Sequence, residues 1–171
     1  MARKFTVKPT LEPLPEGALP AVVFAINDLG EQPRYEGEGQ CWQYAVGIEF
    51  PSEFDGKGLP RVHWITVAQS FHEKSKLAGL ARAAGITVEP GEEFDPTVLI
   101  GKNVQAIIEH TDKGEGKVYS NVTSFLKGKG STYEAKHPAD DPMPKWLSDK
   151  LAARLDKPVP KPDTTGDWPG K

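Results

Sequence analysis

In Cys41–Phe50 every second residue is bulky and apolar: Trp42, Tyr44, Val46, Ile48 and Phe50 fall on one side, Cys41, Gln43, Ala45, Gly47 and Glu49 on the other. A helix would scatter the first set around its axis, whereas a strand, whose side chains alternate between two faces, gathers it onto one. The chain around this segment is built in the same way. Ala21–Ile26 is a short apolar run rich in strand formers, closed by Asn27-Asp28-Leu29-Gly30. Arg61–Val67 is β-branched and aromatic, and Asn103–Glu109 and Val118–Leu126 complete five candidate strands. The 17 Gly and 16 Pro among 171 residues cut the chain into pieces too short for long helices.

Between the third and fourth strands the period changes. Ser70-Phe71-His72-Glu73 has the form of a capping box, and Leu77, Leu80, Ala81 and Ala84 recur at helical spacing until Gly85, predicting a helix of about three turns. Asp95-Pro96 is a second start signal, ended by Gly101 after little more than one turn. Pro144–Asp156 carries Trp146, Leu147, Leu151 and Leu155 near one side of a further helix, which Pro158 terminates. Strand, strand, strand, helix, strand, strand is the order of an OB-like, five-stranded Greek-key barrel. The expected architecture is thus mainly β with one or two helices: an arm over 1–16, an OB-like domain over 17–130, a linker and C-terminal helix over 131–157, and a disordered Pro-rich tail over 158–171.

Composition removes several functional classes. A single cysteine, Cys41, supports neither an intrachain disulfide nor a cysteine-based zinc site. His63, His72, His110 and His137 lack the spacing of known zinc motifs, no nucleophile elbow is present, and no cofactor is expected. No apolar stretch approaches the ~20 residues of a membrane span, so cytoplasmic residence without membrane partners is expected. In that compartment Asn121-Val122-Thr123 reads as strand rather than as a glycosylation site. The net charge of -3 is uneven: residues 1–56 carry 4 basic and 9 acidic side chains, 57–130 carry 10 and 8, and 131–171 carry 7 of each. Only the middle is biased towards anions.

OB folds bind oligonucleotides across strands 2–3, between the 1–2 and 4–5 loops, using aromatic platforms for bases and cations for phosphates. The residues in those places are Arg34 and Tyr35 in the first loop, Trp42 and Tyr44 on strand 2, and Arg61, His63 and Trp64 on strand 3. Lys113, Lys117 and Tyr119 belong to the 4–5 hairpin, Lys127 and Lys129 follow it, and His72, Lys74 and Lys76 open the helix. Each has an ordinary alternative. Tyr44 shares a face with Val46, Ile48 and Phe50 and is the best candidate for core, while Trp42 and Trp64 divide evenly between core and platform. The lysines double as solubilising surface, and Glu31, Glu36 and Glu38 oppose phosphate at the first loop.

The phrases LPEGALPAVVFAINDLGEQ, ITVAQSFHEKSKLAGLARAAGI, FDPTVLIGKNVQAIIEHTDKGEGKVYSNVTSFLKG and MPKWLSDKL, spanning roughly residues 16–152, resemble a family of small bacteriophage proteins from replication and recombination gene clusters. That family is described as predicted OB-fold single-stranded DNA-binding proteins, so the resemblance implies fold and phage context and supplies no catalytic residues. Bacterial-type single-strand binders end in a strongly acidic tail. Here Asp163, Asp167 and Trp168 are balanced by Lys161 and Lys171, which argues against recruitment of partners through the tail. The expected function is a non-enzymatic phage protein that binds single-stranded DNA with little sequence preference in replication or recombination, with self-association as one way to lengthen its site. The rival is an OB-like module that docks a replication or recombination enzyme, or a host factor, through acidic residues 31–38 and the C-terminal helix.

Overall fold

The apolar run Ala21–Ile26 lies within β1 (Gly17–Pro33), the strand on which the computed structural model is built. The structure describes residues 13–33, 39–72, 74–112, 118–129 and 132–153. Four further strands, β2 (Gln40–Phe54), β3 (Pro60–Ala68), β4 (Asn103–Asp112) and β5 (Val118–Lys127), join it in one antiparallel sheet of order β3-β2-β1-β4-β5. β1 serves two neighbours in turn: Gly17–Val22 pairs with β4, and Val22–Pro33 pairs with β2. Its middle, Ala21–Ala25, is buried on both faces, which is why the run is continuous rather than alternating.

Two irregularities shape β1. Pairing with β2 skips Phe24 and again skips Leu29, the second just before Gly30 at φ +70°. A bulge adds one residue to one strand and re-aims its side chain. Both extra residues point away from the main core. That core is formed on the inner face by Val23, Ile48, Phe50, Ile65, Val104, Ile108, Val122 and Phe125, with Leu77 and Leu80 from the helix between β3 and β4.

The mainly β architecture, the five strands and the helix between the third and fourth are as the sequence leads one to expect. Barrel closure is where the structure differs from expectation. β3 and β5 are edges of the sheet and do not pair with each other. Instead α1 (Lys76–Ala83) packs against β5, β3 and β4, its Leu77, Leu80 and Ala81 filling what closure would have narrowed. The helix also starts later than the Ser70 capping box implied. Ser75 is the N-cap, its hydroxyl accepting from Ala78 N at 3.1 Å and donating to Ser70 O at 2.7 Å. Ser70 therefore belongs to the turn that leads in from β3, and Glu73 lies outside the described residues. The Gly85 stop is found as expected, with Gly85 N donating to Arg82 O and Ile86 N to Ala81 O, the paired bonds of a Schellman ending. Asp95 caps a single 3-10 turn over Pro96–Leu99, as its position before a proline suggested.

The outer face of β1, β2 and β3 is not open. The segment 132–144 and α2 (Lys145–Ala152) lie across it, so the run read as a linker is a packed strap. Its anchor is Glu49, only 1% exposed, which accepts from Lys136 N at 2.8 and 2.9 Å and from His137 N at 2.9 Å, with His137 Nδ1 at 2.6 Å. Leu147 is buried against Leu29 and Ala45, with Trp64, Met143 and Leu151 packed around them. Lys150 Nζ donates to Gln43 Oε1 at 2.9 Å, and Gln32 Nε2 donates to Leu29 O and Lys150 O. Trp146, which the spacing put near the same side of this helix as Leu147, is 52% exposed while Leu147 is buried.

Gly47 is required where strap and sheet meet. A Cβ there would lie 2.7 and 2.8 Å from the Phe24 ring and 3.0 Å from Trp64. Gly47→Ala is expected to cost ~1–3 kcal/mol of stability through overpacking, read as a lower urea midpoint with an unchanged m-value.

Candidate nucleic-acid interface

Residues of β3 alternate between the two sides of the sheet, and this parity decides what each candidate can do. Ile65 and Val67 point into the core, so Arg61 and His63 share their side, next to Phe50 and Ile48 of β2. Trp64 points the opposite way. It meets Phe24 edge-on, with centroids 5.3 Å apart at 76°, beneath the strap. It is thus part of the secondary core and is not offered as a base platform.

The inner side of β3 ends beside α1, where Lys76 is the first helical residue. The charges of Lys76 and Arg61 both act on His63. Burial first, then those two cations, hold its imidazole below the usual histidine range. Burial likewise lowers the Lys76 ammonium. Among the described residues none of the three side chains forms an ion pair or hydrogen bond. Among the described residues no carboxylate pairs with these groups, so their positive charge is left for a bound anion to offset.

The stretch from β3 into α1, beyond the end of the strand opposite Arg61, carries exposed groups of its own. Phe71 stacks edge-on with Phe94 at 4.6 Å and is itself 37% exposed. His72 and Lys74 are exposed, with Lys74 N donating to His72 Nδ1 in a local turn. Trp42 is 42% exposed at the start of β2, its carbonyl accepting from Gln69 N just past the end of β3. Phe71 was absent from the sequence-derived candidates. The signal for it was its place in the turn that feeds the helix.

Other candidates are separated from this group. Tyr44 is half-buried against the main core, and burial, with Asp28 and Asp95 adding, pushes its hydroxyl above the usual range. Tyr119 is 49% exposed on β5. Lys127 borders a shallow cleft of about 230 Å³ between the end of α1 and β4 and β5, and Lys129 is exposed beyond it. Arg34, Tyr35, Lys113 and Lys117 lie outside the described residues. Among the described residues no cluster of His, Cys, Asp or Glu could hold a metal ion, and no helix is long and apolar enough to cross a membrane. No protein-family model matches the chain, and no curated protein matches it.

Proposed function

We propose that this protein binds single-stranded DNA with little sequence preference, along the edge of β3 and the start of α1, in the replication or recombination of a bacteriophage. The observation that carries the reading is that Arg61 and His63 share one side of β3, an unpaired strand edge, with Lys76 opening the helix that packs against that strand and, among the described residues, no ion pair to any of the three. At the other end of β3, Lys74, His72, Phe71 and Trp42 add cations and exposed aromatic surface. Cations that track phosphates and aromatics that accept any base give affinity without sequence readout. The outer face of strands 2–3 is covered by the strap, so the path differs from the usual OB one.

The test is fluorescence anisotropy of a labelled oligo-dT against a duplex of equal length, at low and moderate salt. Salt-sensitive, single-strand-selective binding is expected. Arg61→Gln and Lys76→Gln should each weaken it about tenfold or more, the worth of a charge-assisted hydrogen bond at ~1.5–3 kcal/mol. Each should also lower the salt slope by ~0.7, the value for one lost phosphate contact on a single strand. Absence of binding at low salt sinks the proposal. It would favour the rival protein-docking reading, which draws on Trp146, 52% exposed on α2.

A further inference from the structure

Phe54, at 58%, is the most exposed of the large apolar side chains among the described residues, and it is the last residue of β2. The turn Asp55-Gly56-Lys57-Gly58 separates it from Leu59, 48% exposed, just before β3. That turn is fixed by its own hydrogen bonds. Asp55 Oδ1 accepts from Lys57 N at 2.7 Å and from Leu59 N at 3.0 Å, Asp55 N donates to Leu59 O at 2.8 Å, and Gly58 N donates to Asp55 O at 3.2 Å. Before the tip β2 bulges, since Pro51–Glu53 have no partner between the pairs Phe50–Arg61 and Phe54–Pro60, and a bulge bends the strand that carries it. The two apolar side chains are therefore held at a bent, hydrogen-bonded tip, and a partner that binds there has little backbone left to order.

Size and charge decide the kind of partner. Two side chains around a four-residue turn offer far less than the ~800 Å² that each side of a stable protein interface buries. A single ring can instead be covered by another ring, and Phe54 has no ring partner among the described residues. Lys57 is exposed on the turn, and Arg61 follows Leu59 by two positions on β3. The neighbouring carboxylates are Glu53, which is half-buried, and Asp55, which is engaged by the two backbone N–H groups. An exposed ring with cations beside it is the combination that takes a base and its phosphates.

We infer that the tip of the β2–β3 hairpin is a base-stacking point for single-stranded nucleic acid, with Phe54 against an unpaired base and Lys57 and Arg61 at the adjoining phosphates. The inference rests on the proposed binding of single strands and gives the Arg61 end of β3 a base contact of its own. Trp42 and Phe71 lie at the far end of that strand, whose 9 residues span roughly 27 Å, so the two aromatic groups meet different nucleotides.

The experiment titrates labelled oligo-dT, and an abasic strand of equal length, with wild type, Phe54→Ala and Phe54→Trp at low salt. The position is exposed, so the urea midpoints of the three proteins should coincide. Phe54→Ala is expected to weaken oligo-dT about fivefold or more, the yield of one lost stacked base, and to leave the abasic strand unaffected. Phe54→Trp should keep the affinity and show fluorescence quenching by oligo-dT beyond that of wild type. An equal loss on both strands overturns stacking as the role of Phe54. Unchanged oligo-dT affinity in Phe54→Ala, with Arg61→Gln still weakening it, overturns this inference and leaves the single-strand reading standing. Failure of wild type to bind oligo-dT at low salt overturns both. A rise in mass with concentration that Phe54→Ala abolishes, without an effect on oligo-dT, overturns the inference in favour of a contact between copies of this chain.

Discussion

Glu49→Ala is expected to lower the unfolding free energy by ~3–5 kcal/mol, the usual penalty for removing one member of a buried charged network. Glu49 sits on β2 at 1% exposure, and all four of its hydrogen bonds come from Lys136 and His137 of the strap. Without the carboxylate, the backbone N–H groups of both residues and the ring of His137 lose their acceptor at the buried Glu49 position. Each buried donor left unpaired costs ~1–3 kcal/mol, so the strap should lift locally rather than tolerate them. Two measurements check this. The urea midpoint should fall, and amide exchange at 136 and 137 should accelerate more than exchange in β4 and β5, because the lesion releases one segment first. A variant within about 0.5 kcal/mol of wild type would mean that Leu147 and its neighbours hold the strap without help from Glu49.

Phe24→Ala carries a comparable expectation, ~3–5 kcal/mol, through a different mechanism. The ring is 1% exposed and fills the space left by the missing side chain of Gly47, against Trp64 at 5.3 Å and His137 at 5.5 Å. Truncation removes transfer free energy and leaves a cavity that the bulged backbone of β1 cannot close. Trp64 fluorescence should report the loss, since its edge-on partner is gone. The two lesions share His137, so Glu49→Ala combined with Phe24→Ala should cost less than the sum of the single changes. Strict additivity of the two would argue that strap and bulge are independent.

Much of this molecule is readable from local patterns. The alternation in Cys41–Phe50 assigned the correct inner residues to β2, because a sheet with one core face imposes period two on whichever strand supplies it. The β4 and β5 strands, the Asp95 cap and the Gly85 stop follow from single residues acting on their own backbone. Ser70 misled for the same local reason. A capping box is a pattern of four residues, and Ser75 could take the cap because its hydroxyl bonds both Ala78 N and the Ser70 carbonyl.

What the sequence determined by itself was therefore the elements and their order, since each depends on contacts within a few residues. Which faces are free was decided only by the tertiary structure. Nothing in Gln43, Ala45, Gly47 and Glu49 announces that residues near 136 and 147 will lie on them, because that burial is a long-range event. It converts Trp64 from candidate platform to core and gives Glu49 donors that lie 87 and 88 positions away. The nearness of the Arg61 and His63 strand to the helix that Lys76 opens arises likewise, because α1 packs against β3 as well as β5 and β4 while β3 and β5 stay unpaired. Side-chain parity was legible in the sequence. The identity of the neighbour opposite was not, because it depends on how the edge of the sheet is covered.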